Sequence, residues 1–244
     1  MNSYAEVPES VRAIQANPPV PMVAFHGSQE LKDFYVGRAQ YHYEQDEIIH
    51  GEYWNNGKGC AVGCTIHSGT HAAYETELGL PAWLARLEDG MFEAQSNGDS
   101  QTFPIRFLSV IPVGADTEAI KFPFLAWLMD DPSYGVFQSE DAEIRALALE
   151  VAAKLRAGET AGSAADDLTK RLEDAWAASA ARDAWAARAA WAAWAARAAR
   201  DAWAAWAAWD ARDAWAAWDA RDAWDAYVKT SVAELLRLLG ALHV

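Results

Sequence analysis

A three-residue repeat constrains this chain more than any other feature, and it runs without interruption over residues 176–227. The first position of each triplet holds Trp or Arg, apart from Ser179 and Tyr227, the second holds Ala or Asp, and the third holds Ala. No Gly or Pro lies between Gly162 and Gly240, and Ala is the strongest helix former. The repeat therefore predicts helix over its whole length.

The period of three determines where the ten Trp side chains of the repeat point. An α-helix has 3.6 residues per turn, so each successive large residue is rotated by about −60° and the indoles reach every side of a straight helix. Each indole has roughly 150–250 Å² of surface to bury. The repeat is therefore predicted to bend into shorter helices, to be enclosed by the rest of the chain, or to pack against other copies of itself. A single stripe of Trp would need a 3₁₀ helix, and such helices rarely exceed about four residues.

The rest of the chain is predicted to be mainly α-helical. Helical spacing of apolar side chains with few Gly or Pro marks four segments, at residues 29–50, 70–78, 81–95 and 139–156. Residues 55–59 are rich in Asn and Gly and predict a loop. The segments 102–111 and 117–130 are apolar but contain Pro, which leaves short helix and extended structure as alternatives.

Changes in composition divide the chain into three predicted parts. Several Pro residues predict an irregular N-terminal arm over residues 1–24. Residues 25–157 are predicted to form a helical globular domain. After a boundary between Gly158 and Gly162, residues 163–239 are predicted to form a long or segmented Ala/Trp-rich helical region with a Leu-rich end, packed on the domain or on other copies.

The charge of the chain argues against two classes of partner. The 244 residues carry a net charge of −15 at pH 7, whereas nucleic acids and anionic membrane surfaces are bound through Lys and Arg. Six Arg and seven Asp leave the repeat itself at −1, so the remaining residues carry −14. We therefore expect no nucleic-acid and no membrane partner, and a homo-oligomer is the assembly that the repeat favours.

Cysteine usage and hydropathy together predict a cytoplasmic protein. Two cysteines, Cys60 and Cys64, are too few for the disulfide framework of a small secreted protein. The first residues have neither the basic region nor the apolar stretch of a signal peptide. No window approaches the roughly 20 apolar residues of a membrane span.

Cys60 is the candidate catalytic nucleophile. It follows a glycine-rich loop and opens a predicted helix, where backbone N–H groups and the nearby Lys58 would stabilise a thiolate. His67 cannot be its acid–base partner, because seven residues of helix rise about 10 Å. His26, His42 and His50 are the alternatives, and we take His50 as the candidate.

The same stretch supports a metal site as a competing hypothesis. Cys60, Cys64, His67 and His71 follow one another at helical spacings of three or four residues, and zinc is the ion that such ligands favour. The four residues extend far along one axis, however, and Ser68 to Thr70 interrupts the helix. Buried structural cysteines with hydrogen-bonded histidines are the third alternative, in which case the chain needs no cofactor.

Four motifs resemble a family of uncharacterised bacterial and phage-encoded proteins that end in an Ala-rich tail dotted with aromatic residues. They lie at residues 56–67 (NGKGCAVGCTIH), 77–81 (ELGLP), 84–89 (LARLED) and 111–116 (IPVGAD). The resemblance covers roughly residues 25–240 and implies no established activity. Its association with phages implies a small-molecule ligand, such as a sequestered nucleotide, as one alternative.

We therefore expect a non-enzymatic binding or assembly protein, whose Ala/Trp helix mediates intramolecular packing or self-association. The first alternative is a thiol- or metal-dependent enzyme centred on Cys60, Cys64 and His67. The second is a protein that sequesters a small molecule. These alternatives differ in whether the cysteines and histidines converge on one reactive point.

Overall fold

The computed structural model describes residues 6–18, 22–133, 135, 142–158 and 218–243. These residues are mainly helical, which confirms the predicted fold class. The chain divides into two compact units, one comprising Met1–Glu118 with Val232–Val244 and the other Ala119–Ser231. Most of the triplet repeat lies outside the described residues. None of the helices in the described ranges has the length and apolar character that a membrane crossing requires.

Seven helices and a short hairpin lie in the described residues of the first unit up to Glu118. The helices are α1 (Glu9–Gln15), α2 (Gln29–Glu44), α3 (Ala61–Ile66), α4 (Ala73–Leu78), α5 (Ala82–Ala94), α6 (Asn97–Ser100) and α7 (Phe103–Val110). The hairpin pairs β1 (Trp54–Asn55) with β2 (Lys58–Gly59) in antiparallel register. A 3₁₀ turn at Ala24–Gly27 precedes α2, and a second at Thr117–Ile120 follows α7.

Helix α2 forms because Ser28 caps its start and its apolar side chains recur at helical spacing. The Ser28 hydroxyl accepts a hydrogen bond from the backbone N–H of Leu31 at 3.2 Å. The prediction of helix to residue 50 is wrong over its last six residues. The backbone of Asp46 is left-handed, with φ of 56°, and Ile49 then donates to the carbonyl of Gly59 at 2.8 Å. The buried side chains of α2 are Leu31, Phe34, Tyr35, Arg38, Ala39 and His42.

The predicted loop at residues 55–59 is a tight hairpin. Asn56 and Gly57 both have positive φ, 49° and 86°, as a two-residue hairpin turn requires. The two glycines at the sides of Cys60 face the carbonyl of Tyr53. A Cβ on Gly59 would lie 2.1 Å from that oxygen and a Cβ on Gly63 would lie 1.5 Å from it. Only glycine fits at these two positions of the motif.

The N-terminal segment differs from its prediction, because a two-turn helix lies inside the arm expected to be irregular. Helix α1 begins after Pro8, whose ring is compatible with a helix start. Val11 is buried, and the Gln15 side-chain amide donates to the Tyr35 hydroxyl at 2.8 Å and to the Glu77 carbonyl at 3.0 Å. These contacts hold the segment against the domain.

The described residues of the second unit up to Gly158 form α8 (Lys121–Asp130) and α9 (Ala142–Arg156). The two helices pack on each other, and the guanidinium of Arg156 forms an ion pair with the carboxylate of Asp130. Gly158 follows α9 with φ of 73°, so the predicted end of this helix is confirmed. The buried side chains of α9 recur at helical spacing: Ile144, Leu147, Ala148 and Ala152.

The last described helix, α10 (Trp218–Gly240), joins the end of the repeat to the Leu-rich segment without a break. Helix is thus confirmed for residues 218–227 of the repeat. The helix buries five apolar side chains, and from Val228 onwards they follow one another at spacings of four, three and four residues, which is the pattern of one face. These residues are Tyr227, Val228, Val232, Leu235 and Leu239.

Candidate functional site

Two histidines and a glutamate of the first unit form a hydrogen-bonded chain. The Nε2 atoms of His42 and His67 lie 2.8 Å apart. The Nδ1 atom of His42 lies 2.7 Å from Oε2 of Glu47. The His42 side chain is 3% exposed and that of Glu47 is 24% exposed, so the series of hydrogen bonds leads from the interior to the surface. We call these three residues the histidine pair with its glutamate.

In this hydrogen-bonded group, the chemistry of imidazole determines which ring nitrogens carry a hydrogen. A carboxylate can only accept, so Nδ1 of His42 carries a hydrogen and donates it to Glu47. The Nε2 atom of neutral His42 is then an acceptor and takes a hydrogen bond from Nε2–H of His67. If His42 becomes an imidazolium, it donates in the opposite direction. The pair can therefore pass one proton between its rings.

Different local structures position the three residues. His42 lies in the last turn of α2, and Glu47 follows the left-handed turn at Asp46. His67 ends α3 with a left-handed backbone, φ of 54°. The indole of Trp54 stacks on the His67 ring at 4.4 Å between centroids and 10° between planes. The hairpin and α3 thus fix the orientation of His67 together.

The surroundings of His42 oppose its protonation. Burial lowers the pKa of His42 below its ordinary value, and the positive charge of Arg38 acts in the same direction. The hydrogen bond and charge of Glu47 raise the pKa and offset part of this effect. Neutral His42 is the favoured form in the folded state at neutral pH.

A second cluster surrounds Asp89 of α5. The Asp89 carboxyl group raises the pKa of the Cys60 thiol through its negative charge. The other side of that group faces His71, whose Nε2 is 3.4 Å from Oδ2 of Asp89. The ring of Tyr53 packs edge-on against His71, with centroids 5.5 Å apart. Asp89 thus contacts His71 directly and acts on Cys60 through its charge.

Both thiols are buried and their protonated forms are favoured. Cys60 caps α3 and its Sγ accepts from the N–H of Gly63 at 3.4 Å, as the sequence predicts. Burial nevertheless raises the pKa of Cys60, and the negative charge of Asp89 raises it further. The Cys64 thiol donates to the carbonyls of Gly59 and Glu47, and burial raises its pKa to about 12. These are the surroundings of structural cysteines.

A fully buried acid, Glu88, precedes Asp89 in α5. The Tyr74 hydroxyl donates to Oε2 of Glu88 at 2.7 Å, and both side chains are inaccessible to solvent. Burial raises the pKa of Glu88 well above its ordinary value, and the charge of Asp89 adds to the effect. Burial thus favours the protonated form of Glu88, whereas the hydrogen bond from Tyr74 acts in the opposite direction.

The histidines that were alternatives for the partner of Cys60 lie in other contacts. His50 hydrogen-bonds the Ser100 hydroxyl at 2.9 Å and packs edge-on against Phe92. Nε2 of His26 lies 3.0 Å from the carbonyl of Thr76. The ammonium group of Lys58, expected near the thiol, lies 3.4 Å from the carbonyl of Asp46.

The four predicted metal ligands lie at three different places in the first unit. His67 belongs to the histidine pair, and His71 and Cys60 belong to the Asp89 cluster. The thiol of Cys64 faces two backbone carbonyls. In the part of the chain that the structure describes, no three His, Cys, Asp or Glu side chains are grouped as ligands of one ion.

Sequence reasoning missed three residues that shape these clusters, namely Glu47, Trp54 and Asp89. Glu47 is five positions after His42, and only the unforeseen left-handed turn at Asp46 brings its carboxylate back to that ring. Asp89 comes from another helix, and no pattern in one sequence reports such a contact. The Asn-Gly pair could have predicted the hairpin that carries Trp54.

The comparisons with known proteins add no function to this geometry. No protein-family model, no curated protein and no solved structure matches the chain. A functional conclusion therefore rests on the residues themselves.

Proposed function

We propose that this chain is a non-enzymatic binding or assembly protein of the cytoplasm, and that its Ala/Trp repeat mediates packing within the molecule or self-association. One observation carries the proposal. The last triplets of the repeat and the Leu-rich segment form one continuous helix, α10, which buries an apolar face from Tyr227 to Leu239. The last residues of the repeat therefore continue directly into a helix with a buried apolar face, which supports a packing role.

The state of the cysteines supports a non-enzymatic role over a thiol enzyme. A nucleophilic cysteine needs an exposed thiol with a lowered pKa, since the thiolate is the reactive form. Cys60 is 1% exposed and Cys64 is 0% exposed, and burial raises the pKa of both. Both residues suit structural positions around the hairpin.

Replacement of Trp residues in the middle of the repeat tests the proposal on the full-length chain. The variant Trp203→Ala/Trp206→Ala/Trp209→Ala keeps the helix-forming composition and removes three large apolar side chains. The control Asp201→Ala/Asp210→Ala/Asp213→Ala changes the same segment without loss of indoles. Light scattering gives the molar mass over a range of concentrations, and thermal melting gives the stability.

Each outcome of this comparison has a meaning. If the repeat associates, the Trp variant has a lower molar mass than the control. If it packs within one molecule, the mass is unchanged and the melting temperature falls by several degrees relative to the control. A Trp variant that matches the control in both mass and melting temperature would contradict the proposal.

A surface groove favours small-molecule binding as a second candidate function. Its volume is about 890 Å³, and its walls carry hydrogen-bonding and aromatic groups. Because two carboxylates also line it, a neutral nucleoside or nucleobase suits it better than a polyphosphate. The lining includes Tyr43, Glu44, Asp46, His50, Lys58 and Gln101.

Calorimetric titration with nucleosides and nucleotides tests this second candidate. Binding at the groove should be weakened about tenfold or more when Tyr43, an exposed aromatic residue, is changed to Ala. The variant Leu149→Ala, at an exposed apolar residue of the second unit, is the matched control. The absence of heat with any of these compounds would reject the groove as their site.

A further inference from the structure

The side chain of Gln101 lies where the surface groove meets the extended segment that follows α2. This segment pairs with Gly59, because the carbonyl of Glu47 accepts from the Gly59 N–H at 3.1 Å and the N–H of Ile49 donates to the Gly59 carbonyl at 2.8 Å. Successive peptide groups of an extended segment point in opposite directions, so the Ile48 carbonyl faces away from Gly59. Gln101 occupies that side, and its Nε2 donates to the Ile48 carbonyl at 2.6 Å.

The contact with Ile48 determines which end of the Gln101 amide remains for a ligand. A backbone carbonyl can only accept a hydrogen bond, so the group that meets it is the NH₂ of the amide and not the amide oxygen. The oxygen, Oε1, accepts hydrogen bonds and cannot donate them. Because Gln101 also lines the groove, Oε1 is the acceptor that this residue offers to a ligand there.

Burial prevents the amide from turning over to present its NH₂ to the ligand. Ile48 is 0% exposed, so its carbonyl would lose its partner without gaining water if Nε2 moved away. The backbone of Gln101 is also held, because Phe103 at the start of α7 is fully buried two residues later. The amide oxygen is therefore a fixed acceptor, whereas a freely rotating amide could adapt to a donor or to an acceptor.

The other walls of the groove favour a planar ligand that donates hydrogen bonds. Tyr43, in the last turn of α2, is 40% exposed and offers an aromatic ring on which a planar base can stack. The carboxylates of Glu44 and Asp46 line the same groove, and they too can only accept. Their negative charge disfavours phosphate groups. A nucleobase with an exocyclic amino group combines the planar surface with the required donor.

We propose that Gln101 is the residue that selects the ligand of the groove, and that its Oε1 atom accepts a hydrogen bond from the exocyclic amino group of a nucleobase such as adenine. This inference rests on the second candidate function, the binding of a nucleoside in the groove. It adds the requirement that the base carries an N–H donor, because the donor end of the Gln101 amide is occupied by Ile48.

Calorimetric titration of the full-length protein with adenosine and with purine riboside, which is adenosine without the amino group, tests the selection. We expect adenosine to bind at least about tenfold more tightly. The variant Gln101→Met keeps the length of the side chain and removes its amide. It should bind the two compounds with nearly equal affinity. The matched control Gln29→Met, at an exposed glutamine of α2, should keep the preference of the unmodified protein.

The ratio of the two affinities is the decisive measurement, because a variant that merely disturbs the groove weakens the binding of both compounds. Circular dichroism reports whether each variant is folded, and the comparison on the unmodified protein needs no variant. If neither compound binds, the groove is not a nucleoside site, and the second candidate function and this inference are both wrong. If the unmodified protein binds both compounds equally, or if Gln101→Met still prefers adenosine, nucleosides bind but Gln101 does not select them, and this inference alone is wrong.

Discussion

Cys60 has two neighbours that together determine how its thiol behaves. Its Sγ accepts a hydrogen bond from the Gly63 N–H at the start of α3, and the negative charge of Asp89 raises its pKa. The first contact caps a helix, and such caps contribute about 1 kcal/mol. Cys60→Ala should therefore destabilise the protein by about 1–2 kcal/mol, and Cys60→Ser, which restores a stronger capping group, by less. Urea unfolding measures both differences.

The same pair of variants distinguishes a capping role from a reactive one. Thiol alkylation of the folded protein should be slow at about pH 8 and should approach the rate of an ordinary thiol only in urea, because the pKa of Cys60 is raised by burial and by Asp89. A fast native reaction that disappears in Cys60→Ser would contradict this account and would favour a nucleophilic cysteine.

Glu88 is a buried acid whose titration should be visible in the stability of the protein. Its folded-state pKa lies above its unfolded value of 4.5, so the folded state holds the proton more tightly than the unfolded state does. The resulting stabilisation is complete below the unfolded value and is lost as the pH rises towards the folded value. Each pH unit in this window costs up to about 1.4 kcal/mol.

The variant Glu88→Gln removes this dependence, because an amide resembles the protonated acid and does not titrate. It keeps an acceptor for the Tyr74 hydroxyl. We expect the free energy of unfolding of Glu88→Gln, relative to the unmodified protein, to rise as the pH increases above the unfolded value of 4.5. Glu75→Gln, at an exposed position of α4, is the control. Parallel curves for Glu88→Gln and the unmodified protein would mean that Glu88 is ionised when folded.

Single residues show where reasoning from one sequence succeeds and where it stops. The position of Cys60 at a helix start could be predicted, because the glycine-rich loop and the following apolar residues are contiguous. The direction of its pKa shift could not be predicted, because Asp89 lies on α5 and burial depends on the whole unit. The sequence indicates His42 as one alternative acid–base partner of Cys60 and excludes His67 from that role. It does not indicate that His42 and His67 contact each other.

At the scale of elements, the hairpin and α3 form a unit through the two glycines at the sides of Cys60. The Tyr53 carbonyl occupies the space that a side chain at Gly63 would need, with only 1.5 Å to a Cβ. Gly63→Ala should therefore destabilise the protein by about 2 kcal/mol or more, although alanine favours helix. Gly98→Ala is the matched control, since nothing lies within 4 Å of its Cβ position. Chemical denaturation that ranks the two variants equally would show that the hairpin moves away at low cost.

Helices were predicted more reliably than the contacts between them. The spacing of apolar residues and the positions of Gly and Pro are local signals that determine α5 and the end of α9. Both therefore lie close to their predicted bounds. The predicted end of α2 lies too far along the chain. The backbone leaves the helix because residues 47–49 pair with Gly59, and that pairing is not local. Helix α1 was missed because the Pro residues around it obscure a short segment that is stabilised by burial of Val11.

At the scale of the whole molecule, the charge is distributed unevenly along the chain. The repeat carries −1 and the remaining residues carry −14, so two copies that associate bring two acidic bodies together. Burial of Trp favours association and is insensitive to moderate salt, whereas repulsion between the acidic bodies is screened by it. If the repeat associates through its indoles, association should become stronger as the salt concentration rises.

Sedimentation or light scattering between about 50 mM and about 500 mM NaCl measures this dependence, because the screening length falls several-fold over that range. We expect the weight-average mass of the full-length protein to rise with salt and the Trp203→Ala/Trp206→Ala/Trp209→Ala variant to remain at the lower mass throughout. Association through Arg–Asp ion pairs between repeats would give the opposite trend, since salt weakens exposed ion pairs. A mass that falls as the salt concentration rises would thus mean that the charged residues of the repeat, and not its Trp residues, hold the copies together.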